Sequence, residues 1–469
     1  MTLKSLVKDK MPLTLGEVVD LAEQFSVGVT EVILTEVEIQ SGKARSDVRE
    51  EIDEQFKHNY EALDIGLSSG ESILLGKAGK ELQGAGRELI ADSFLNRVLV
   101  YTLAAQVGNH SIGLRPCAGT GDSCPYTAML RAMLEEGYSQ EKVTEMGALL
   151  LKIGSMFRAG KTTTGCNMEG FGAGAAAMAA AFTELKGGTP RQMEQAMVLA
   201  ISPSIGNPCT PRVMVPGLCA THIGGAVLIG NLAAGLAIQT SIEVNVPIDV
   251  MLAMAASVHP ISAKALVPEV SRYMEPFFKR KNAVEELIEQ DVRDKENKQK
   301  KETIIEAEKA AKELARQARP ITDTLGEAVV GGSSQAVGSP TNAARIAHYL
   351  KKGEIKKVII ELYPELFARR GINVPGILMG AVFGSSTSDY RSYDQAVEKV
   401  RNLGIEVEIK ETQEHQVQRI TIETDQVSSQ VDSLNRGGGR LVLRNAIPDY
   451  DQAVKIAEDL GLVLAEDKQ

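Results

Sequence analysis

Residues 172–184 read GAGAAAMAAAFTE. Alanine is the strongest helix former, and side chains this small let neighbouring helices approach closely. The following stretch, GGTPRQMEQAMVLAIS at 187–202, places Thr189 as an N-cap and Pro190 at the first helical position. Upstream, Val143, Met146, Leu149, Leu150, Ile153, Met156 and Phe157 recur at helical spacing, and Leu15, Val18, Val19 and Leu21 begin another apolar stripe. Downstream, Ile223–Gln239 is the most membrane-like stretch. It contains Gly224, Gly225, Asn231 and Gly235 and falls short of the roughly 18 clean apolar residues of a spanning helix, so a buried helix is expected. Residues 1 to about 275 thus read as helical.

The composition changes at Lys279. Of the 41 residues from there to Arg319, 22 are charged, with both signs mixed and no glycine, which is the pattern of a solvated helix between domains. After Pro320 the period changes. Lys357–Leu362 reads as a strand, and Ile405, Val407 and Ile409 alternate with charged residues. Val417, Ile420 and Ile422, then Leu441–Leu443, suggest further strands, with helices at Asn342–Lys351, Asp394–Leu403 and Tyr450–Leu460. The expected organisation is a helical domain over 1–276, a charged helical linker over 277–320 and an α/β domain over 321–469.

With 469 residues the chain has ample length for a large core. Apolar residues at 43% and charged residues at 24% exclude a wholly disordered chain and a disulfide miniprotein. The net charge of −10 argues against a general nucleic-acid binder. Aromatic residues are only 4%, with no Trp, so the core must close through small residues rather than rings. The charged start, Met1–Lys8, has no secretory apolar region, which gives a cytoplasmic expectation without membrane association.

Five cysteines, Cys117, Cys124, Cys166, Cys209 and Cys219, form no C-x-x-C pair, and an odd number argues against a disulfide framework. Cys166 (TTTGCNMEGFG), Cys209 (IGNPCTPRVMVPG) and Cys219 (PGLCATHIGG) each lie beside Gly or Pro, in expected breaks between helices. Irregular backbone offers amide N–H groups to thiolates and sulfides. A shared metal or cluster site and separate structural thiols are both consistent with these settings.

Several long stretches carry a resemblance. Residues 15–48 and GKAGKEL at 76–82, LNRVLVYTLAAQVGNHSIGLRPCAGTGDSC at 95–124 and GCNMEGFGAGAAAMAAAFTELKGGTP at 165–190 resemble the α-chain of the iron–sulfur-dependent L-serine dehydratases. GEAVVGGSSQAVGSPTNAARIA at 326–347 and LNRGGGRLVLRNA at 434–446 resemble that family's β-chain, as if the two chains were fused. The spacing of Cys166, Cys209 and Cys219, 43 and then 10, is close to that of the family's cluster ligands. The resemblance implies an α+β protein in which a large all-helical cluster-binding domain precedes a smaller α/β domain. It implies a 4Fe–4S cluster on these three cysteines, no pyridoxal phosphate, and loss of water or hydrogen sulfide from a small α-amino or α-hydroxy acid. Family members commonly form homodimers.

The same resemblance marks Ser72, Cys124, Ser333 and Ser334 as substrate-binding candidates. Glu169, three residues after Cys166, is a catalytic candidate. Lys161 and His222, near the cluster cysteines in sequence, could serve as base or ammonium partner. Each has a plainer reading: a cap for Ser72, a core thiol for Cys124, a Gly/Ser turn for Ser333 and Ser334, an exposed Glu169. The chain also departs from the family. Gln335 stands where the β-chain motif has His, Gly371–Val374 replaces a His-Gly-Thr-Asp stretch, and Thr210-Pro211-Arg212 and Ala220-Thr221-His222 follow the second and third cysteines. These differences leave the substrate open among small hydroxy and thiol acids, and leave room for a sensory relative that keeps the cluster without catalysis. Gly160-Lys161-Thr162 lacks the earlier glycine and the strand of a P-loop. Gly437–Gly439 fits a bulge opening a strand better than an anion nest.

Overall fold

The computed structural model describes residues 2–84, 88–115, 123–160, 172–206, 218–278, 282–317, 330, 338–388, 390–413, 417–435 and 440–466. Among the described residues there are 20 helices and a small mixed five-stranded sheet near the C-terminus, which is the fold class expected from the sequence. The chain divides into two compact units, Met1–Ala311 and Lys312–Gln469.

The first unit is helical: α1 (Leu3–Lys10), α2 (Leu15–Phe25), α3 (Val29–Ser41), α4 (Arg45–Ser68), α5 (Ala78–Gln83), α6 (Ser93–Ile112), α7 (Ser123–Glu135), α8 (Gln140–Ala159), α9 (Gly174–Leu185), α10 (Pro190–Ile201), α11 (Leu218–Gln239), α12 (Ile248–Met274) and α13 (Asn282–Glu285). The charged segment becomes α14 (Gln290–Gln317). Helix α9 realises the alanine-rich stretch, and Ala175 to Ala181 are wholly buried on every side. Helix α10 carries the expected cap: Thr189 Oγ1 accepts from Gln192 N at 3.2 Å, and Gln192 Oε1 accepts from Thr189 N at 2.9 Å.

Small residues set the closest crossings. A Cβ on Gly66 of α4 would lie 1.9 Å from the Ala104 carbonyl oxygen of α6, and one on Gly108 of α6 would lie 1.8 Å from the Ala62 oxygen of α4. Backbone therefore lies on backbone along this antiparallel pair. Elsewhere a buried ion pair fastens the α1–α2 connection. Lys152 Nζ lies 2.7 Å from Glu36 Oε2 and donates to the Leu13 carbonyl at 2.8 Å, while Leu13 N donates to Glu36 Oε1 at 2.7 Å. All these buried charges are hydrogen-bonded, as burial requires.

The stretch 223–239 is helical as expected, within α11, but buried on one side rather than all round. Ala226, Val227, Ala233 and Ala234 face inward, whereas Leu228 and Leu232 are exposed. Two helical stretches, Ala220–Gln239 and Ile248–Phe277, are long and apolar enough to cross a membrane by length and composition alone, with 39% and 17% of their apolar windows buried.

The second unit orders its sheet β2-β1-β3-β4-β5, with β1 (Ile355–Leu362), β2 (Glu406–Glu411), β3 (Gln418–Thr424), β4 (Ser428–Asn435) and β5 (Leu441–Ile447). Only β1 and β2 are parallel. Helices α15 (Ser339–Leu350), α16 (Pro364–Ala368), α17 (Arg370–Phe383), α18 (Tyr390–Asp394), α19 (Ala396–Asn402) and α20 (Tyr450–Asp459) complete it. Val358, Ile360, Ile420, Ile422 and Val431 form the inner face. On alternate positions Lys357 bridges Glu406 and Glu408, both at 2.9 Å, and Arg419 holds Asp432 by two bonds of 2.7 Å. Strand β4 and helices α16, α17 and α18 were not expected from the sequence. Strand β4 (SSQVDSLN) hides its period because Ser429 and Ser433 take the buried positions beside Val431. Helix α17 contains Pro375 within its span and includes Gly371–Val374.

Replacing Gly66 or Gly108 by Ala is expected to destabilise the protein by at least about 1–3 kcal/mol, the usual cost of overpacking. Gly235→Ala in α11, where a Cβ meets nothing within 4 Å, should be neutral or slightly stabilising. Thermal melts of the three variants check this, and equal melting points for Gly108→Ala and Gly235→Ala would contradict the close crossing.

Candidate functional site

After α4 the chain turns back at Gly70, where a Cβ would lie 3.0 Å from Val107 of α6. It then closes a tight turn: Ser72 N donates to the Gly76 oxygen and Gly76 N to the Ser72 oxygen, both at 2.8 Å, with Gly76 at φ 58°. A left-handed residue is needed there, and glycine takes that conformation without Cβ strain. Ser72 Oγ sits inside this turn and accepts from Leu74 N at 3.0 Å and Leu75 N at 3.1 Å. The turn brings Ser72 to the end of α6, where its Oγ lies 2.5 Å from His110 Nδ1.

Helix α6 then carries the contact inward. Gln106 and His110 are four residues apart and so share a helical face, with Gln106 Nε2 3.1 Å from His110 Nε2. The Cys124 thiol, in the first turn of α7, donates to Gln106 Oε1 at 2.9 Å. Ser72, Gln106 and Cys124 are buried, and His110 is exposed at the outer edge. Ser72 Oγ accepts the Leu74 and Leu75 amides with both lone pairs, so its hydroxyl is left to donate to His110 Nδ1. Partial burial holds the His110 pKa below its ordinary 6.5.

Neighbouring bonds fix the exit from α6. His58 Nε2 donates to the Gly113 oxygen at 3.1 Å, Asn59 Nδ2 donates to the Arg115 oxygen at 2.5 Å, and Arg115 N donates back to Asn59 Oδ1 at 2.7 Å. Below the polar line lies an apolar cluster containing Ala62, Leu63, Leu103, Ala104, Cys124 and Ile223. It joins the start of α7 to the start of α11. The start of α9 arrives at the same place, since a Cβ on Gly174 would lie 3.6 Å from Pro125 and 3.4 Å from Ala226. The first turn of α7, Gly174 of α9 and the Ile223–Ala226 turn of α11 thus pack together.

Of the residues singled out from sequence, the structure brings Ser72 and Cys124 into one hydrogen-bonded line. His222 is half-buried in the first turns of α11, beside Ile223 of the apolar cluster. Cys219 is the second residue of α11. Cys166, Cys209, Glu169, Lys161, Ser333, Ser334 and Gln335 lie outside the described residues, as do Cys117 and Gly437–Gly439. The residues of 161–171 lead into the start of α9, and those of 207–217 into α11. His110 and Gln106 were not singled out from sequence. The available signal was a Gln-x-x-x-His pair near the end of an apolar helix, which acquires meaning only when Ser72 and Cys124 are placed at either end.

Among the described residues, no group of three or more His, Cys, Asp and Glu side chains is arranged to hold a metal ion. The class of the protein comes from comparison with known families. The family model for the serine dehydratase alpha chain matches residues 24–266, and the chain belongs to that family. No curated protein matches it.

A neutral His110 has a direct consequence for pH. Its folded pKa lies below 6.5, so the unfolded chain binds the proton more readily. The stability this group contributes is complete above about 6.5 and is lost as pH falls through the folded value. In NMR titration of the imidazoles, the resonance abolished by His110→Gln should show a midpoint below 6.5, and a midpoint above it would contradict the partial desolvation of the ring.

Proposed function

We propose that this chain is an iron–sulfur-dependent lyase that eliminates water, or hydrogen sulfide, from a small α-amino or α-hydroxy acid. An amino-acid substrate would leave as a keto acid and ammonia. The observation that carries this reading is the match of residues 24–266 to the serine dehydratase alpha chain, a span that includes the three cysteines Cys166, Cys209 and Cys219 and the Ser72–His110–Gln106–Cys124 line.

Cys166, Cys209 and Cys219 would hold the 4Fe–4S cluster, their spacing of 43 and then 10 being close to that of the family's cluster ligands, with thiolates serving as the metal ligands. A cluster iron left without a protein ligand supplies Lewis acidity toward the departing β-hydroxyl or thiol. Ser333 and Ser334, in the β-chain-like segment, would bind the substrate carboxylate through hydroxyl and amide donors, and Glu169 would orient the substrate near Cys166. Lys161 and His222 remain candidates for the base or for pairing with the ammonium group. Gln335, standing in place of the family's motif His, favours a second reading in which the chain keeps the cluster as a sensor and does not turn over substrate.

The test is anaerobic purification of the full chain with iron and sulfide assay, followed by keto-acid release from a panel of serine, threonine, cysteine and hydroxy acids. The lyase reading expects a coloured, air-sensitive protein active on one of the panel. Cys166→Ala, Cys209→Ala and Cys219→Ala should each lose iron and activity, whereas Cys117→Ala keeps both. An iron-loaded protein inert toward every substrate would support the sensor instead. A fully active, iron-loaded Cys209→Ala would refute the ligand set.

A further inference from the structure

We infer that Lys351 is an acylation site: a nucleophilic amine, with His348 as its base, that takes the acyl group of a small acyl phosphate or acyl thioester. The site lies wholly in the second unit and is independent of the lyase chemistry.

The last turn of α15 presents His348 to the end of α17, where its Nδ1 lies 2.8 Å from the Ala381 carbonyl oxygen. A carbonyl can only accept, so Nδ1 carries the ring proton and Nε2 carries the lone pair. Lys351 Nζ lies 2.9 Å from that Nε2, and donates to it. Two further contacts set the ring. The turn at Gly384 lies against it, so closely that a Cβ there would stand 2.9 Å from His348 Cδ2. Tyr349 meets the ring edge to face, with centroids 5.3 Å apart. A nucleophile within hydrogen-bond reach of a base, and a base oriented by a third group, is the arrangement that activates a nucleophile. Here the three are Lys351, His348 and the Ala381 carbonyl.

The setting also favours the reactive form of the amine. Burial holds the Lys351 pKa below its ordinary 10.5, and burial foremost holds His348 below 6.5, so the ring is a neutral acceptor. A neutral Lys351 has two N–H groups and one lone pair. One N–H stays on Nε2, and the lone pair is left for an electrophile. Lys351 is only half-buried, so a small reagent can reach it. Other lysines are held differently. Lys152 pairs with Glu36, and Lys357 with Glu406 and Glu408, which favours the charged and unreactive ammonium. Burial lowers the Lys186 pKa as well, but its Nζ meets Asn231 Oδ1 at 2.9 Å and the Phe182 ring, neither of which is a base.

In the step itself the Nζ lone pair forms the N–C bond to the acyl carbon, and the C=O π pair moves onto oxygen. Nitrogen, now cationic, passes the proton it already shares to His348 Nε2. The oxygen pair then re-forms the carbonyl. The bond from acyl carbon to phosphate oxygen or thioester sulfur breaks with its own pair. The departing phosphate or thiolate takes the proton from His348 directly or through water, and the neutral ring is restored. The product suits the place. A secondary amide is uncharged, as partial burial prefers, and it keeps one N–H to donate to Nε2. An imine formed from a keto acid would stay charged or lose that N–H, and a carbamate would be anionic. The same surroundings therefore select acyl transfer from among the reactions of an amine.

The experiment incubates the full chain at neutral pH with acetyl phosphate and, separately, with acetyl-coenzyme A. Peptide mass spectrometry follows acetylation at Lys351, at its exposed neighbour Lys352 and at Lys186. With at least one reagent, Lys351 should label at least about tenfold faster than either, a modest part of what a positioned base supplies. The faster reagent tells an acyl phosphate donor from a thioester. His348→Gln should remove the advantage of Lys351 over Lys352 while leaving the rate at Lys186 unchanged. Denaturing the unsubstituted chain in urea should remove it too, which keeps the test decisive if the His348 variant does not fold. Equal rates at Lys351 and Lys352 in the folded chain with both reagents overturn the assignment. A folded His348→Gln protein that labels Lys351 at the unsubstituted rate also overturns it. Neither readout involves elimination, so failure here leaves the lyase reading standing, and failure of the lyase reading leaves this site standing.

Discussion

The approach of α4 to α6 is the constraint on which the site depends. Two glycines, Gly66 and Gly108, remove the side chains that would hold these helices apart, and each faces a backbone carbonyl of the partner helix. The helices are therefore locked in register as well as in distance, because moving either by one residue would drive a Cβ into a carbonyl. Everything outward inherits that register. The turn at Gly70 packs on Val107, the Ser72 turn closes on itself, and its hydroxyl meets His110 at hydrogen-bond distance. A core built with larger residues would keep these helices further apart and lose the contact.

Much of this architecture could be read from the chain. The alanine run of α9, the Thr189–Pro190 start of α10 and the charged helix at 290–317 follow from propensity and capping chemistry alone. Two members of the polar line, Ser72 and Cys124, could be reached through resemblance. The other two could not. Gln106 and His110 sit in a helix that also carries Asn96, Arg97, Thr102 and Asn109, and nothing in a Gln-x-x-x-His spacing sets this pair apart from them. Their role depends on partners 38 residues upstream and 18 residues downstream, which the fold supplies.

The second unit failed the sequence reading in a different way. Period two in β4 is carried by serines, and serine does not advertise burial. Ser429 is buried because its hydroxyl donates to the Ala347 carbonyl of α15 at 2.8 Å, so a polar side chain satisfies a helix carbonyl and occupies a core position together. Helix α17 was masked by Pro375, although Gly380 lies so close to α15 that a Cβ would stand 2.4 Å from the Thr341 oxygen. Tertiary contact outweighed local propensity in both places.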